Sequence, residues 1–181
     1  MIETPAWPPG DGEMAARIRQ LDWGRTPLGA IDGWPHRLKG VVEIVLAGGF
    51  PMMVLWGDDL VQVYNDGYRL LMGTRHPAGL GQPARECRPE DWHIDGPIYD
   101  RVLAGEALTL PDRLHVVERD GRLEDAWFTL GYSPIAGDAE RETGVLVTAV
   151  ETSDRVLAER SRRASEERQQ MLLAELQHRV R

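Results

Sequence analysis

One histidine close to the end of the chain, His178, stands in a setting where it can do chemistry. Glu175 precedes it by one helical turn, and Arg179 follows it directly. The apolar residues around it are Leu172, Leu173, Leu176 and Val180. A neutral imidazole nitrogen can attack the γ-phosphate of ATP, and a carboxylate that holds the other ring nitrogen raises its nucleophilicity. His178 is therefore a candidate phosphoacceptor with Glu175 as candidate support, and an ordinary surface histidine is the alternative.

The ten residues 172–181 read LLAELQHRVR. They resemble the phosphoacceptor box of the HWE family of bacterial sensor histidine kinases, whose pattern is Leu-Leu-x-Glu-Leu-x-His-Arg-Val-Lys/Arg-Asn. The family places Asn next, and its His and Trp-x-Glu features belong to an ATP-binding domain that is not among these residues. The resemblance implies an ATP-dependent protein-histidine kinase for the parent protein, with His178 as the phosphoacceptor. These residues alone are expected to be inactive.

The segment that must position His178 runs from Ser153 to Arg181 and contains neither Gly nor Pro. Opposite charges recur four residues apart, at Glu159 with Arg163, Arg162 with Glu166, and Glu175 with Arg179. Such pairs favour one long helix. The residues Leu157, Ala164, Met171 and His178 recur every seven positions, which is the spacing of a parallel coiled-coil seam. We expect a homodimer through this helix, and a solvated single helix is the alternative.

Composition narrows the class of protein. The chain has 181 residues, of which 42% are hydrophobic, and a formal net charge of −8. Residues 153–181 hold seven arginines against five acidic residues, so the negative charge belongs to the remainder of the chain. An acidic body argues against nucleic acid as a partner. The single cysteine, Cys87, excludes a disulfide framework within one chain and indicates a reducing compartment.

No stretch approaches the roughly 20 apolar residues that a membrane-spanning helix needs. The N-terminus lacks the basic and apolar regions of a signal peptide. We therefore expect no membrane insertion and a cytoplasmic location.

The elements upstream of the long helix follow an α+β order. Helical spacing predicts helices over Glu13 to Leu21 and over Pro35 to Leu46, with Trp23 and Trp34 as anchors between them. The predicted strands are Pro51 to Trp56, Leu60 to Tyr64, Leu108 to Val117, Glu124 to Pro134, and Gly144 to Glu151. A further helix, Ile98 to Ala104, is predicted between the second and third strands. Asn65 and Asp66 stand where a helix cap belongs, and the run 119–122 predicts a hairpin turn.

Three stretches resemble sensor proteins with a PAS domain: WGDDLVQVYNDGY (56–68), the run from Trp127 to Arg155, and DWGRTPLG (22–29) with the Trp-Pro pair at 34–35. The upstream signature resembles the leader of many HWE-type kinases. The resemblance implies a leader over residues 1–49, a PAS domain over residues 50–152 with an antiparallel sheet of about five strands and short flanking helices, and a signalling helix from residue 153.

PAS domains often end in Asp-Ile-Thr-Glu-Arg, where an acid and a hydroxyl hydrogen-bond at the start of the signalling helix. The corresponding run here is 151–155, ETSDR. The resemblance assigns the acid role to Glu151, the hydroxyl role to Ser153 and the terminal arginine to Arg155. Ser153 also fits a helix cap.

The sensed ligand is unknown from the sequence. Flavin chemistry of the LOV type needs a cysteine at the position of Ala84, and Cys87 comes three residues too late, so flavin is not expected and Cys87 is interpreted as a core residue. His93 and His115 are candidate haem ligands, and the histidine spacing predicts no metal site. Alternation along the strands predicts that a small apolar ligand, or a filled core, contacts Tyr64, Tyr68, Leu71, Phe128, Leu130, Tyr132, Val147 and Ala149.

Together these features predict the sensory input region of a cytoplasmic two-component histidine kinase. Its expected partners are a second copy of the chain and, for the parent protein, a response regulator. The alternative is a PAS module that serves for dimerisation or protein docking without a ligand.

Overall fold

The computed structural model describes residues 6–137, 139 and 143–179. Val180 and Arg181, the end of the phosphoacceptor-like box, lie outside the described residues. The helices are α1 (Glu13–Gln20), α2 (His36–Ala47), α3 (Arg69–Met72), α4 (Ala84–Cys87), α5 (Trp92–Leu103) and α6 (Ser153–Arg179). The strands are β1 (Met52–Trp56), β2 (Val61–Tyr64), β3 (Leu108–Arg119), β4 (Arg122–Ile135) and β5 (Gly144–Glu151).

The five strands form one antiparallel sheet in the order β2-β1-β5-β4-β3. The last strand therefore lies in the middle, between the first strand and the hairpin of β3 and β4. Helices α3, α4 and α5 connect the two hairpins, and α6 continues directly from β5. This arrangement confirms the predicted α+β class and PAS fold, including the long C-terminal helix.

Two turns have the backbone conformation that their residues predict. Asp120 and Gly121 have φ angles of 50° and 73°, and Arg119 pairs with Arg122 across the turn. Positive φ at both central residues is the two-residue hairpin geometry that Asp-Gly favours. In the turn between β1 and β2, Gly57 has a φ of 75°. Both predicted hairpins are confirmed.

Helix α5 is longer than the sequence predicts. It begins at Trp92 rather than at Ile98, and Pro97 lies inside it. A proline in a helix removes one backbone hydrogen bond and normally ends or kinks the helix. Here Gly96, Tyr99 and Val102 are buried against the sheet, with α5 contacting β4 and β5. Tertiary packing on both sides of Pro97 therefore outweighs its local cost.

The N-terminal leader covers one face of the sheet. Helix α2 contacts β1 and β2 and buries Leu38, Val42 and Val45. The rings of Trp23 and Trp34 pack edge to face at 4.7 Å between centroids, and each indole N–H donates to a backbone carbonyl. The anchoring role predicted for the two tryptophans is confirmed. Since β1 and β2 are buried on both faces, leader and sheet share one core.

Asn65 connects three elements through a buried side chain that is 2% exposed. Its Oδ1 accepts hydrogen bonds from the backbone N–H groups of Met52 and Tyr68, each at 3.0 Å. Its Nδ2 donates to the carbonyls of Val45 at 3.0 Å and Phe50 at 2.7 Å. The predicted helix cap at Asn65 or Asp66 is wrong, because the N-cap of α3 is Tyr68 and Asn65 instead closes the turn that precedes the helix. The same amide also joins the end of α2 to the start of β1.

In the part of the chain that the structure describes, no helix combines the length and the apolar character that crossing a membrane requires.

We expect Asn65→Ala to lower the free energy of unfolding by about 3 kcal/mol or more, because each buried group left unpaired costs about 1–3 kcal/mol. Urea unfolding followed by circular dichroism measures the change. Asp59→Ala, in the exposed turn between β1 and β2, is the control and should stay within about 0.5 kcal/mol of the wild type. A loss below about 1 kcal/mol for Asn65→Ala would contradict the prediction.

Candidate functional site

A cavity of about 210 Å³ lies between the sheet and helices α3 to α5. Its apolar lining comes from Met53, Met72, Ala84, Ile94, Ile98, Leu110, Leu114 and Leu130. Its polar lining comes from Gln62, Tyr68, Arg88, Asp91, Asp95, Tyr99, Arg113, His115 and Tyr132. The cavity is thus more polar than the sequence predicts, because α4, α5 and β3 contribute charged side chains to its wall.

The structure brings three of the eight predicted pocket residues to this cavity: Tyr68, Leu130 and Tyr132. The other five are buried in the surrounding core: Tyr64, Leu71, Phe128, Val147 and Ala149. Strand alternation identified the inward face because it fixes which side chains are buried. The alternation could not show which of these buried residues line the cavity, because that depends on how α5 packs across the sheet.

Tyr64 lies away from the cavity and belongs to a hydrogen-bonded chain. Its hydroxyl is 3.0 Å from Nδ1 of His76, and Nε2 of His76 is 2.9 Å from Oε1 of Glu13. Glu13 also accepts hydrogen bonds from Arg17 and Arg69. The hydrogen bonds from Arg17 and His76 lower the pKa of Glu13 to about 2. This chain attaches α1 of the leader to the buried end of β2.

The tyrosines of the cavity wall keep their protons at neutral pH. Burial raises the pKa of Tyr68 to about 12 and raises the pKa of Tyr99 and of Tyr132 as well. Burial also raises the pKa of Asp95, although the nearby Arg88 guanidinium opposes this effect. Asp95 and Tyr99 are four residues apart on α5 and therefore share a face. That spacing was a signal by which both could have been identified from the sequence.

The two candidate haem ligands are separated by the fold. His93 is exposed, and its Nδ1 is 3.0 Å from the Glu90 carbonyl. His115 lines the cavity, its ring packs edge to face on Phe128, and burial lowers its pKa. At about 210 Å³ the cavity is below the range of about 300–1,000 Å³ that is typical for drug-sized ligands. Cys87 is buried in the core, as predicted.

The junction between β5 and α6, called here the signal joint, comprises Glu151, Ser153 and Arg155 with the groups that contact them. Glu151 accepts two hydrogen bonds from Arg119, at 3.0 and 2.5 Å, and one from the Ser153 hydroxyl at 2.8 Å. The Arg119 guanidinium lowers the pKa of Glu151. Ser153 Oγ in turn accepts the backbone N–H of Trp127 at 3.0 Å. The cap predicted for Ser153 is wrong, because its oxygen binds β4 rather than its own helix.

The sequence reasoning missed Asp112, which completes the signal joint. Its carboxylate accepts hydrogen bonds from the Thr152 hydroxyl at 2.8 Å and from Arg155. Both hydrogen bonds lower the pKa of Asp112, with the larger effect from Arg155. Asp112 has a φ of 51° and lies where the pairing register of β3 shifts. A proline inside a strand indicates an edge or a bulge, so Pro111 was the signal that could have indicated an irregularity here.

Further along α6, Arg160 packs over the ring of Trp127 at 4.7 Å. Contacts with the sheet therefore extend for two turns of the helix. Beyond them the described side chains are exposed, including Met171 at 72% and the leucines at 172, 173 and 176. His178 is also exposed, and Glu175 accepts a hydrogen bond from Arg179 at 2.9 Å. Among the described residues, no hydrogen bond joins Glu175 to His178.

No protein-family model matches the chain, and no curated protein matches it. Among solved structures, it is similar to the PAS domain of Bordetella pertussis BvgS, with 16% identity and a TM-score of 0.49, over 72% of this chain and 97% of that one. It is similar to a sensory box sensor histidine kinase from Vibrio cholerae, with 15% identity and a TM-score of 0.41, over 64% and 91% of the two chains. A third similar structure is the PAS domain of nitrogen regulation protein NR(II) from Vibrio parahaemolyticus, with 20% identity and a TM-score of 0.38, over 62% and 97%. Their identities are 20% or less and their TM-scores are below 0.5, so nothing about this chain is inferred from these similarities.

Proposed function

We propose that this chain is the sensory input region of a two-component histidine kinase of the HWE type, in which α6 carries the phosphoacceptor His178. The observation that carries the proposal is the continuity of α6. This helix begins at the signal joint, directly after the central strand β5, and continues to Arg179. Its 27 residues span about 40 Å at 1.5 Å per residue. A change at the sheet therefore has one rigid element through which to reach His178.

The signal joint supports this coupling because one of its carboxylates, Asp112, lies on the β3–β4 hairpin and the other, Glu151, is bound by the hairpin. Arg119 at the tip of the hairpin holds Glu151, and Asp112 on β3 holds Thr152 and Arg155. A displacement of the hairpin must move these groups together or break their hydrogen bonds. Residues Leu110, Arg113 and Leu114 flank Asp112 and line the cavity. A ligand in the cavity would thus contact the same strand that holds the start of α6.

A second copy of the chain would explain the apolar surface of α6. A helix without tertiary packing is marginally stable in water, and its exposed leucines and Met171 have no partner among the described residues. Two such helices side by side would bury the heptad positions Leu157, Ala164 and Met171. In this proposal the dimer brings each His178 beside the partner helix, where the ATP-binding domain of the parent protein would reach it. A response regulator would then receive the phosphoryl group.

The exposure of His178 gives a phosphoryl donor access to its ring. The exposed imidazole is accessible to the γ-phosphate. Glu175 could support the other nitrogen only if it released Arg179, its present partner. We propose that this exchange accompanies binding of the ATP-binding domain.

Ser153→Ala is expected to lower the free energy of unfolding by about 1–3 kcal/mol, because it leaves the buried N–H of Trp127 without an acceptor. It should also increase amide hydrogen exchange at Trp127 and in the first turn of α6. Ser161→Ala, at an exposed position of the same helix, is the matched control and should be neutral or slightly stabilising. Equal exchange in the two variants would contradict the role of the signal joint.

Met171→Glu should weaken dimerisation at least about tenfold, because it would bury a carboxylate in the seam. Gln170→Glu introduces the same residue one position away, off the seam, and should leave the dissociation constant within about twofold. Analytical ultracentrifugation and native mass spectrometry measure the monomer fraction. A wild-type chain that stays monomeric at high micromolar concentration would contradict the dimer.

In a parent protein that includes the ATP-binding domain, His178→Ala should abolish incorporation of acid-labile phosphate, because it removes the attacking nitrogen. His93→Ala removes an exposed histidine elsewhere and should retain full incorporation. Incubation with radiolabelled ATP, followed by acid and base treatment, measures the product. Labelling that persists in His178→Ala would contradict the phosphoacceptor assignment and favour a PAS module for dimerisation or docking.

A further inference from the structure

Several polar groups around the cavity have hydrogen-bonding capacity that the protein does not use. Gln62 is 3% exposed and donates from Nε2 to the Gly79 carbonyl at 2.9 Å, which leaves Oε1 as an acceptor. Tyr68, Tyr99 and Tyr132 are each more than nine-tenths buried as residues, and their hydroxyls have no hydrogen-bond partner among the described residues. Among the described residues, every fully buried side-chain oxygen or nitrogen has a hydrogen-bond partner. The atoms without a partner are therefore accessible, and we place them at the cavity surface. A molecule in the cavity, either a ligand or water, can therefore form hydrogen bonds with them.

The charged side chains of the wall leave one anion and one cation unpaired. Arg88 donates to the Leu71 carbonyl at 2.7 Å and faces the Asp91 carboxylate at 3.9 Å, so these two charges largely offset each other. Asp95 on α5 and Arg113 on β3 have no ion pair among the described residues. Asp95 and Arg113 lie on different sides of the cavity, the first on a helix and the second on the edge strand. The cavity therefore offers a negative and a positive group that form no direct ion pair, although Arg88 and Arg113 both act on Asp95 electrostatically.

The negative wall is aromatic as well as acidic. The Tyr99 ring packs between Trp92 and Tyr132, at 6.0 and 6.2 Å between ring centroids. Asp95 is close enough to raise the pKa of Tyr99. Aromatic faces beside a carboxylate attract an ammonium group. This part of the wall is suited to a cation, whereas the guanidinium of Arg113 is suited to a carboxylate.

We propose that the cavity binds a small zwitterion of the free α-amino acid class, with its ammonium group on Asp95 and Tyr99 and its carboxylate on Arg113. This inference rests on the proposed sensor function and names the class of its ligand. A simple amine would leave Arg113 unpaired, and a simple carboxylic acid would leave Asp95 unpaired. The volume of about 210 Å³ limits the ligand to a small molecule. Ligand contacts with Arg113 would act one residue from Asp112, which holds the start of α6.

The test is isothermal titration calorimetry of the dialysed wild-type chain with each of the twenty common L-amino acids. For L-leucine, and for any amino acid that binds, the matched probes are the amine without the carboxylate and the acid without the amine; for leucine these are 3-methylbutylamine and 4-methylpentanoate. At least one amino acid should bind, and each matched probe should bind at least about tenfold more weakly. Asp95→Asn and Arg113→Gln should each weaken binding at least about tenfold. Asp100→Asn and Arg122→Gln, exposed charges outside the cavity wall, are the matched controls and should change it less than about twofold.

The proposal is overturned if no amino acid binds the folded chain, or if Arg113→Gln, at an exposed position, leaves the affinity unchanged. It is also overturned if the amine or the acid alone binds as tightly as the amino acid. Phosphate labelling of His178 in the parent protein is a separate result. Labelling without amino acid binding would overturn the ligand class and leave the kinase proposal in place. Amino acid binding without labelling would overturn the kinase proposal and leave the ligand class in place.

Discussion

The architecture depends on the buried amide of Asn65, because this side chain hydrogen-bonds the leader, the first strand and the approach to α3 at once. The strand β1 has neighbours on both sides in the sheet and α2 on one face, so it becomes buried directly after its half-buried first residue, Met52. Backbone groups in such a place must find partners inside the protein. An amide offers both donors and acceptors, and no apolar residue of the same size could replace it. The leader is therefore part of the folding unit of the sheet.

That rigid half of the sheet contrasts with the edge formed by β3. Strand β3 has a partner only in β4, contains a bulge at Asp112, and exposes Leu114 and Val116 to solvent. Elements with few buried contacts are the ones that open or move most readily. The cavity and the signal joint both contact this edge. The asymmetry gives the fold one fixed side, braced by the leader, and one side that can respond.

Charged side chains line the cavity and form the signal joint. Apolar packing is non-directional, whereas a charged hydrogen bond requires particular distances and angles. Arg119 with Glu151, and Asp112 with Arg155, therefore fix the position of the β3–β4 hairpin relative to the start of α6. Such partly exposed pairs contribute little net stability. In a sensor, these ion pairs would be useful because small movements of the hairpin would break or form them.

The sequence by itself determined the features that arise from neighbouring residues. The strand order along the chain, the Asp120-Gly121 turn, the long charged helix and the anchoring tryptophans follow from spacing, turn chemistry and charge pairs. The start of α5 escaped prediction, because Pro97 is locally unfavourable in a helix that the sheet stabilises. Only the tertiary structure decided that Ser153 binds Trp127, 26 residues away, and that Thr152 binds Asp112, 40 residues away. It also decided that Asp95 and Arg113 line one cavity, since side chains from a helix and an edge strand meet only when the chain has folded.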